Sequence, residues 1–280
     1  MNSETPVRME DLVDLRAYPL DQLETASGEE LVQWCQSQLD CHGACVLDGF
    51  LKPQAIIDSL AEAERLLPNA HQVDHYFAYD DVDDKTLGKS REELPENHPG
   101  RYSSLTKIRF IAQDYISVTN PVMLIHAWPQ MSEFIGKVMK MTAAHTSDCP
   151  LSGCVFTVAE EYELQDWHFD GADFIVTLML QDAERGGSFN YAPGLRSQGG
   201  EDDYENISQV FSGQSELVQT LSIKPGTLTL FKGKYNLHKA APVGANSRRV
   251  MAILSFADKP GLTGDKEFLK LFYGRSLKDL

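Results

Sequence analysis

The sequence predicts an all-β core dressed with N-terminal helices, on two observations. Apolar residues recur at helical spacing as far as Met141, and from Cys154 onward they gather in short β-rich runs. Clusters of Gly, Pro, Asn and Asp separate those later runs, as turns separate strands. The chain has 280 residues, 42% of them hydrophobic and 24% charged, an ordinary globular composition. That excludes a disordered chain, a collagen-like fibre and a small disulfide scaffold. At about 150 residues per domain the length allows one large domain or two small ones. The expectation is one domain over 1–280, with a helical part over 1–145 and the β core over 150–260.

Residues 9–39 read as helix, from Leu12, Leu15, Leu20, Leu23, Leu31, Val32, Trp34 and Leu39. Pro19 and Gly28 break this stretch into at least two pieces. Gly43–Phe50 reads as a short strand. Pro53 then opens an amphipathic helix, with Ile56, Ile57, Leu60, Ala63, Leu66 and Leu67 every three or four positions. Proline suits a first helical turn, and Pro68-Asn69 ends the helix. Residues 69–101 are polar and poor in aliphatics, which predicts a solvated loop or a lid over the site. The run Asp80–Asp84 lacks the glycine and terminal glutamate of an EF-hand, so no calcium loop is expected. Pro121–Met141 reads as one helix. Strands are expected at Val155–Val158, Phe174–Leu180, Ser188–Tyr191, Leu217–Ile223, Thr227–Phe231 and Val250–Phe256, with Gly199–Glu205 as a polar insertion.

Net charge is −16, so a nucleic acid would meet a repulsive average field. No apolar run approaches the ~18–20 residues needed to span a bilayer. The N-terminal residues form no apolar signal segment, so a cytoplasmic protein is expected. The cysteines are Cys35, Cys41, Cys45, Cys149 and Cys154. Their odd number favours reduced thiols. Cys41 and Cys45 bracket His42, but no second Cys/His pair follows at zinc-finger spacing.

Chemistry concentrates in Asp166-Trp167-His168-Phe169-Asp170-Gly171. On a strand, residues i and i+2 share a face, so His168 and Asp170 converge. His238, beyond the strand Thr227–Phe231, supplies a third ligand from a separate strand. Two histidines and a carboxylate on one face leave positions open, the pattern of non-haem Fe(II) oxygenases. Arg248 and Arg249 open the apolar run Val250–Leu254. A guanidinium there needs an anion, and its planar fork fits a carboxylate. Secondary candidates are Trp167 as pocket wall or core, and Arg101, Tyr102, Lys107 and Arg109 as carboxylate partners or surface groups. Glu160, Glu161 and Glu163 are amine readers or part of a solvated hairpin.

These motifs resemble the Fe(II)/2-oxoglutarate-dependent dioxygenase superfamily. The matching residues are His168-Phe169-Asp170, Gly186-Gly187-Ser188-Phe189, Pro225-Gly226-Thr227-Leu228, His238, Pro242-Val243 and Arg248-Arg249, with Cys45–Leu51 as a similar entry. Phe174–Gln181, Leu230–His238 and Ala252–Phe256 are similar to free amino-acid halogenases and their hydroxylase relatives. The resemblance implies a double-stranded β-helix (jelly-roll) fold. It implies Fe(II) on His168, Asp170 and His238, and 2-oxoglutarate as co-substrate with its far carboxylate on Arg248 or Arg249. It also implies O2 as oxidant and hydroxylation of an unactivated C–H bond in a small-molecule substrate, a free amino acid or other small polar metabolite, with peptidyl and acyl-carrier-bound substrates also open. Related halogenases carry a small residue where Asp170 stands, which implies a hydroxylase here. Two other readings remain: a non-catalytic metal-binding or sensor protein, and a zinc hydrolase, since zinc accepts the same donors. Oligomeric state is not legible.

Overall fold

The computed structural model describes residues 7–79, 93–261 and 263–280. The chain begins with α1 (Met9–Leu12) and α2 (Ala26–His42). Gly43 ends α2 in the left-handed conformation, φ 71°, and β1 (Ala44–Leu47) follows at once. α3 (Pro53–Leu66) starts on its proline, as expected. Its fully buried stripe is Ala55, Ser59, Ala63 and Leu66, while Ile56 and Leu60 flank it and Ile57 is exposed. Ala63 and Leu66 are buried as expected, but in the first half of the helix the buried positions are Ala55 and Ser59, one residue before Ile56 and Leu60, because small residues face the tightest contact.

The polar segment after α3 departs most from expectation. His71–Ala78 is a strand, β2, paired antiparallel along its whole length with β3 (Ser103–Ile111). Few aliphatics are needed there, because β2 lies outside the main strand path and Val73 is its one fully buried residue. Residues 80–92, the middle of the expected lid, lie outside the described residues. The predicted helix 121–141 divides into α4 (Pro121–His126) and α5 (Pro129–Val138). Pro129 disfavours helical geometry at Trp128, which breaks the helix there.

The β part runs β4 (His145–Thr146), β5 (Cys154–Ala159), β6 (Leu164–His168), β7 (Ile175–Gln181) and β8 (Phe189–Ala192). After α6 (Tyr204–Phe211) come β9 (Gln219–Leu221), β10 (Leu228–Phe231), β11 (Leu237–Ala240), β12 (Arg249–Leu254) and β13 (Phe256–Ala257). α7 (Lys266–Tyr273) follows. One curled antiparallel sheet has the order β1-β10-β7-β12-β5-β3-β6-β11-β8-β9, with β2 beside β3. This is the jelly-roll core. Strand alternation sets its two faces. Val176, Leu178 and Leu180 of β7 and Val250, Ala252 and Leu254 of β12 join the main core with residues of α2 to α5. Thr177, Met179, Arg249 and Met251 point the other way. α6 closes a separate cluster with Trp167, Ala192, Leu195 and Leu237. Among the described residues, no helix is long and apolar enough to cross a membrane.

Candidate metal centre

His168 ends β6 and lies directly opposite His238 of β11. Directly opposed residues of an antiparallel pair share a face. The imidazole centroids are accordingly 4.2 Å apart, tilted at 53°. Asp170 follows His168 by two positions, past the strand end, where its N–H donates to the Gly233 carbonyl at 3.2 Å. Asp170 Oδ1 lies 3.6 Å from His168 Nε2 and 3.5 Å from His238 Nε2. Donor atoms of all three side chains fall within 4.8 Å of one another. An ion bound at about 2.0–2.2 Å separates neighbouring donor atoms by about 3.0–3.5 Å, close to these spacings. Among the described residues no other His, Cys, Asp or Glu group meets this test.

Both rings are set to offer Nε2. His168 Nδ1 lies 2.7 Å from the Asp166 carbonyl and His238 Nδ1 lies 2.8 Å from the Asn236 carbonyl. A carbonyl only accepts, so each Nδ1 carries the proton and each Nε2 presents a lone pair. Burial works against charge on Asp170, but the two imidazoles 3.5 and 3.6 Å from its Oδ1 outweigh it and hold the carboxyl well below the usual range. Its Oδ2 is buried without a hydrogen-bond partner. An ionised, incompletely satisfied carboxylate beside two oriented imidazoles is a donor set that fits a divalent metal. Phe231 and Phe189 pack on His238 at centroid distances of 4.9 and 5.6 Å, which gives that ring a dry flank.

The two arginines part company. Arg248 reaches outward and pairs with Glu160, Nη2 to Oε1 at 2.8 Å. Arg249 is 4% exposed, and its guanidinium has no hydrogen-bond or ion-pair partner among the described residues. Burial pushes its guanidinium down to about 10, with Asp182 acting in the opposite sense, so it stays charged at neutral pH. A buried, charged, unpaired guanidinium is a seat for an anion.

The secondary candidates resolve mostly into structure. Arg109 pairs with Glu160 and, at 3.0 Å, with Glu163. Glu163 is 3% exposed, so the solvated-hairpin expectation fails there. Lys107 faces Asp74 at 3.5 Å near the surface. Arg101 donates to the Leu94 carbonyl and the Tyr102 hydroxyl to Asp166 Oδ2. Trp167 belongs to the cluster under α6 and carries Lys239 over its ring at 4.7 Å. Two residues were missed: Gly233, where a Cβ would collide with the Asp170 carboxylate, and Asn236. A lone glycine between lysines and a lone asparagine carry no sequence signal for such roles.

A family model described as Halogenase D matches residues 96–267. No curated protein matches the chain. Among solved structures, the chain is similar to the non-heme alpha ketoglutarate dependent epimerase SnoN in complex with Fe3+, alpha ketoglutarate and nogalamycin RO. Identity is 12%, coverage 82% of this chain and 84% of that one, and TM-score 0.53. AviO1 from Streptomyces viridochromogenes Tue57 gives 13% identity, 79% and 92% coverage and TM-score 0.51. The non-heme alpha ketoglutarate dependent carbocyclase SnoK from nogalamycin biosynthesis gives 11%, 80% and 83%, and 0.50. At such identities the similarity establishes the shared fold.

Proposed function

The chain belongs to the Halogenase D family, and from that premise we propose that it is an Fe(II)- and 2-oxoglutarate-dependent oxygenase, acting as a single cytoplasmic domain. Its reaction is hydroxylation of an unactivated C–H bond in a small polar substrate, a free amino acid. The observation that carries this is the convergence of His168, Asp170 and His238, with both Nδ1 atoms tied to carbonyls. Free thiols at all five cysteines fit a reducing compartment.

Fe(II) with 2-oxoglutarate and O2 supplies an oxidant strong enough to take hydrogen from carbon, releasing succinate and carbon dioxide. The chain's own residues do the rest. His168 and His238 donate lone pairs, and Asp170 contributes the negative charge that a divalent ion favours. Arg249 offers its buried fork to the far carboxylate of 2-oxoglutarate, while Arg248 stays engaged with Glu160. Phe189 and Phe231 keep water from the flank of His238.

Hydroxylation is favoured over halogenation by a matched pair of residues. Position 233 has no Cβ, and the space a Cβ would take is filled by Asp170 Oδ2. The surrounding turn is therefore shaped for a carboxylate, and a chloride ligand would have to displace it. The test is incubation with each standard amino acid, Fe(II), ascorbate and 2-oxoglutarate, at low and high chloride. Succinate together with a product one oxygen atom heavier is expected. A dominant chlorinated product would overturn the role of Asp170. Metal binding without succinate from any substrate would favour the sensor reading, and turnover with zinc in the absence of oxygen the hydrolase.

A further inference from the structure

The turn between β10 and β11, residues 232–236, touches two of the three candidate ligands. At one end the Gly233 carbonyl accepts from the Asp170 N–H, and the missing Cβ of Gly233 leaves room for the Asp170 carboxylate. At the other end the Asn236 carbonyl accepts from His238 Nδ1 at 2.8 Å. The turn thus fixes the position of one donor and the ring orientation of another.

The Asn236 side chain holds this turn in shape. It is 4% exposed. Nδ2 donates to the Lys232 carbonyl at 2.6 Å, closing the turn on itself. Oδ1 accepts from the Gly194 N–H at 2.9 Å, just beyond β8. The Lys232 N–H in turn donates to the Gly43 carbonyl at 2.8 Å, at the end of α2, where any Cβ on Gly43 would run into the Asn236 amide. The amide therefore ties the end of β8 to the β10–β11 turn and packs on Gly43, while the Lys232 N–H ties that turn to the end of α2. The Asn236 backbone carbonyl is the acceptor for a ligand ring, so any rotation at residue 236 moves His238 directly.

We propose that Asn236 is a positioning residue of the metal centre, its amide clipping the 232–236 turn into the shape that sets Asp170 and His238 against His168. This rests on the reading of those three residues as metal ligands. His168 is supported separately, through the Asp166 carbonyl, whose side chain accepts from the Tyr102 hydroxyl.

The test uses Co(II) as a visible-spectrum probe, without oxygen or 2-oxoglutarate, on the wild type, Asn236→Ala, Asn236→Ser and His238→Ala. Affinity, the d–d absorption bands and the melting curve are read together. Groups that orient metal ligands typically change affinity by about 10–100-fold when removed. Both Asn236 variants should melt cooperatively, bind Co(II) more weakly by that factor and show altered bands. Wild-type affinity and spectrum in both variants would overturn the inference. So would loss of the fold in both, which would make Asn236 a purely structural residue. A wild type that binds no Co(II), or a His238→Ala variant that binds normally, would instead overturn the ligand assignment itself, and the inference with it.

Discussion

Arg248 and Arg249 are chemically identical neighbours, and one peptide bond decides their fates. Arg249 is the first residue of β12 and faces away from Val250, whereas Arg248 lies just before the strand and reaches out to Glu160. No protein anion meets Arg249 among the described residues. Arg249→Ala should raise the dissociation constant for 2-oxoglutarate, since losing the partner of a buried carboxylate costs about 2–5 kcal/mol. That is roughly thirtyfold to several-thousandfold in affinity. Arg248→Ala should change it by less than about threefold, because its guanidinium is engaged with Glu160 and not with the anion seat. Calorimetric titration of the metal-loaded protein without oxygen distinguishes them, and equal effects would reject the anchor. Gly233 gives a sharper residue-scale prediction. Gly233→Ala places a methyl group on Asp170 Oδ2 and should weaken Co(II) binding at least about tenfold. In an Asp170→Gly background the same change should cost little more, because the collision partner is gone. A double-mutant cycle in which the two changes simply add would refute the pairing.

At the scale of elements, α4 carries a built-in sensitivity to acid. Its last residue, His126, is buried against Phe256 and faces the Ser255 carbonyl at 2.9 Å. Burial lowers its pKa, with the Ser255 carbonyl pulling weakly the other way. The folded state thus keeps the ring neutral to lower pH than the unfolded chain, which protonates near 6.5. Below that pH the unfolded state binds more protons, so stability is full above about 6.5 and falls as pH drops towards the folded pKa. The wild type should lose more stability between pH 7.5 and 5.5 than His126→Gln, which cannot titrate, as measured by urea midpoints. Equal losses would show that His126 does not sense the drop. The elements also show what the sequence revealed and what it hid. Strands flanked by turn residues, such as β7, β10 and β12, were legible with ends shifted by a residue or two. β3 was not, although Thr106, Ile108 and Phe110 alternate with Lys107 and Arg109, because the partners of those cations, Asp74 and Glu163, come from other strands and hairpins. β2 hid behind its polarity. α7 carries its own end signals, an Asp265 N-cap and a left-handed Gly274. His168 and Asp170 stood out in the sequence by their period-two spacing, although Asp170 lies past the end of β6 and is held beside His168 by its hydrogen bond to the Gly233 carbonyl. The supports at Gly233 and Asn236 did not, because their roles exist only once distant segments meet.

For the whole molecule, the metal should act as a stabilising ligand of the folded state. At a hundred times its dissociation constant a ligand adds about 2.7 kcal/mol, which for a chain this long raises the melting temperature by roughly 5 °C. Co(II) should produce that rise in the wild type, a chelator should reverse it, and His168→Ala should show almost none. An equal shift in His168→Ala would place the ion elsewhere. The topology adds a consequence in time. β1 pairs with β10, Ala44 opposite Phe231, and β6 pairs with β11, His168 opposite His238. Contacts between segments so far apart in the chain form slowly, because the loop must close before the contact rewards it. During synthesis the N-terminal segments emerge first, so His168 and Asp170 are made before His238, the third proposed ligand. On the proposed ligand assignment, iron capture waits for His238, and the appearance of the metal spectrum in a refolding experiment is a clock for the closing of the sheet.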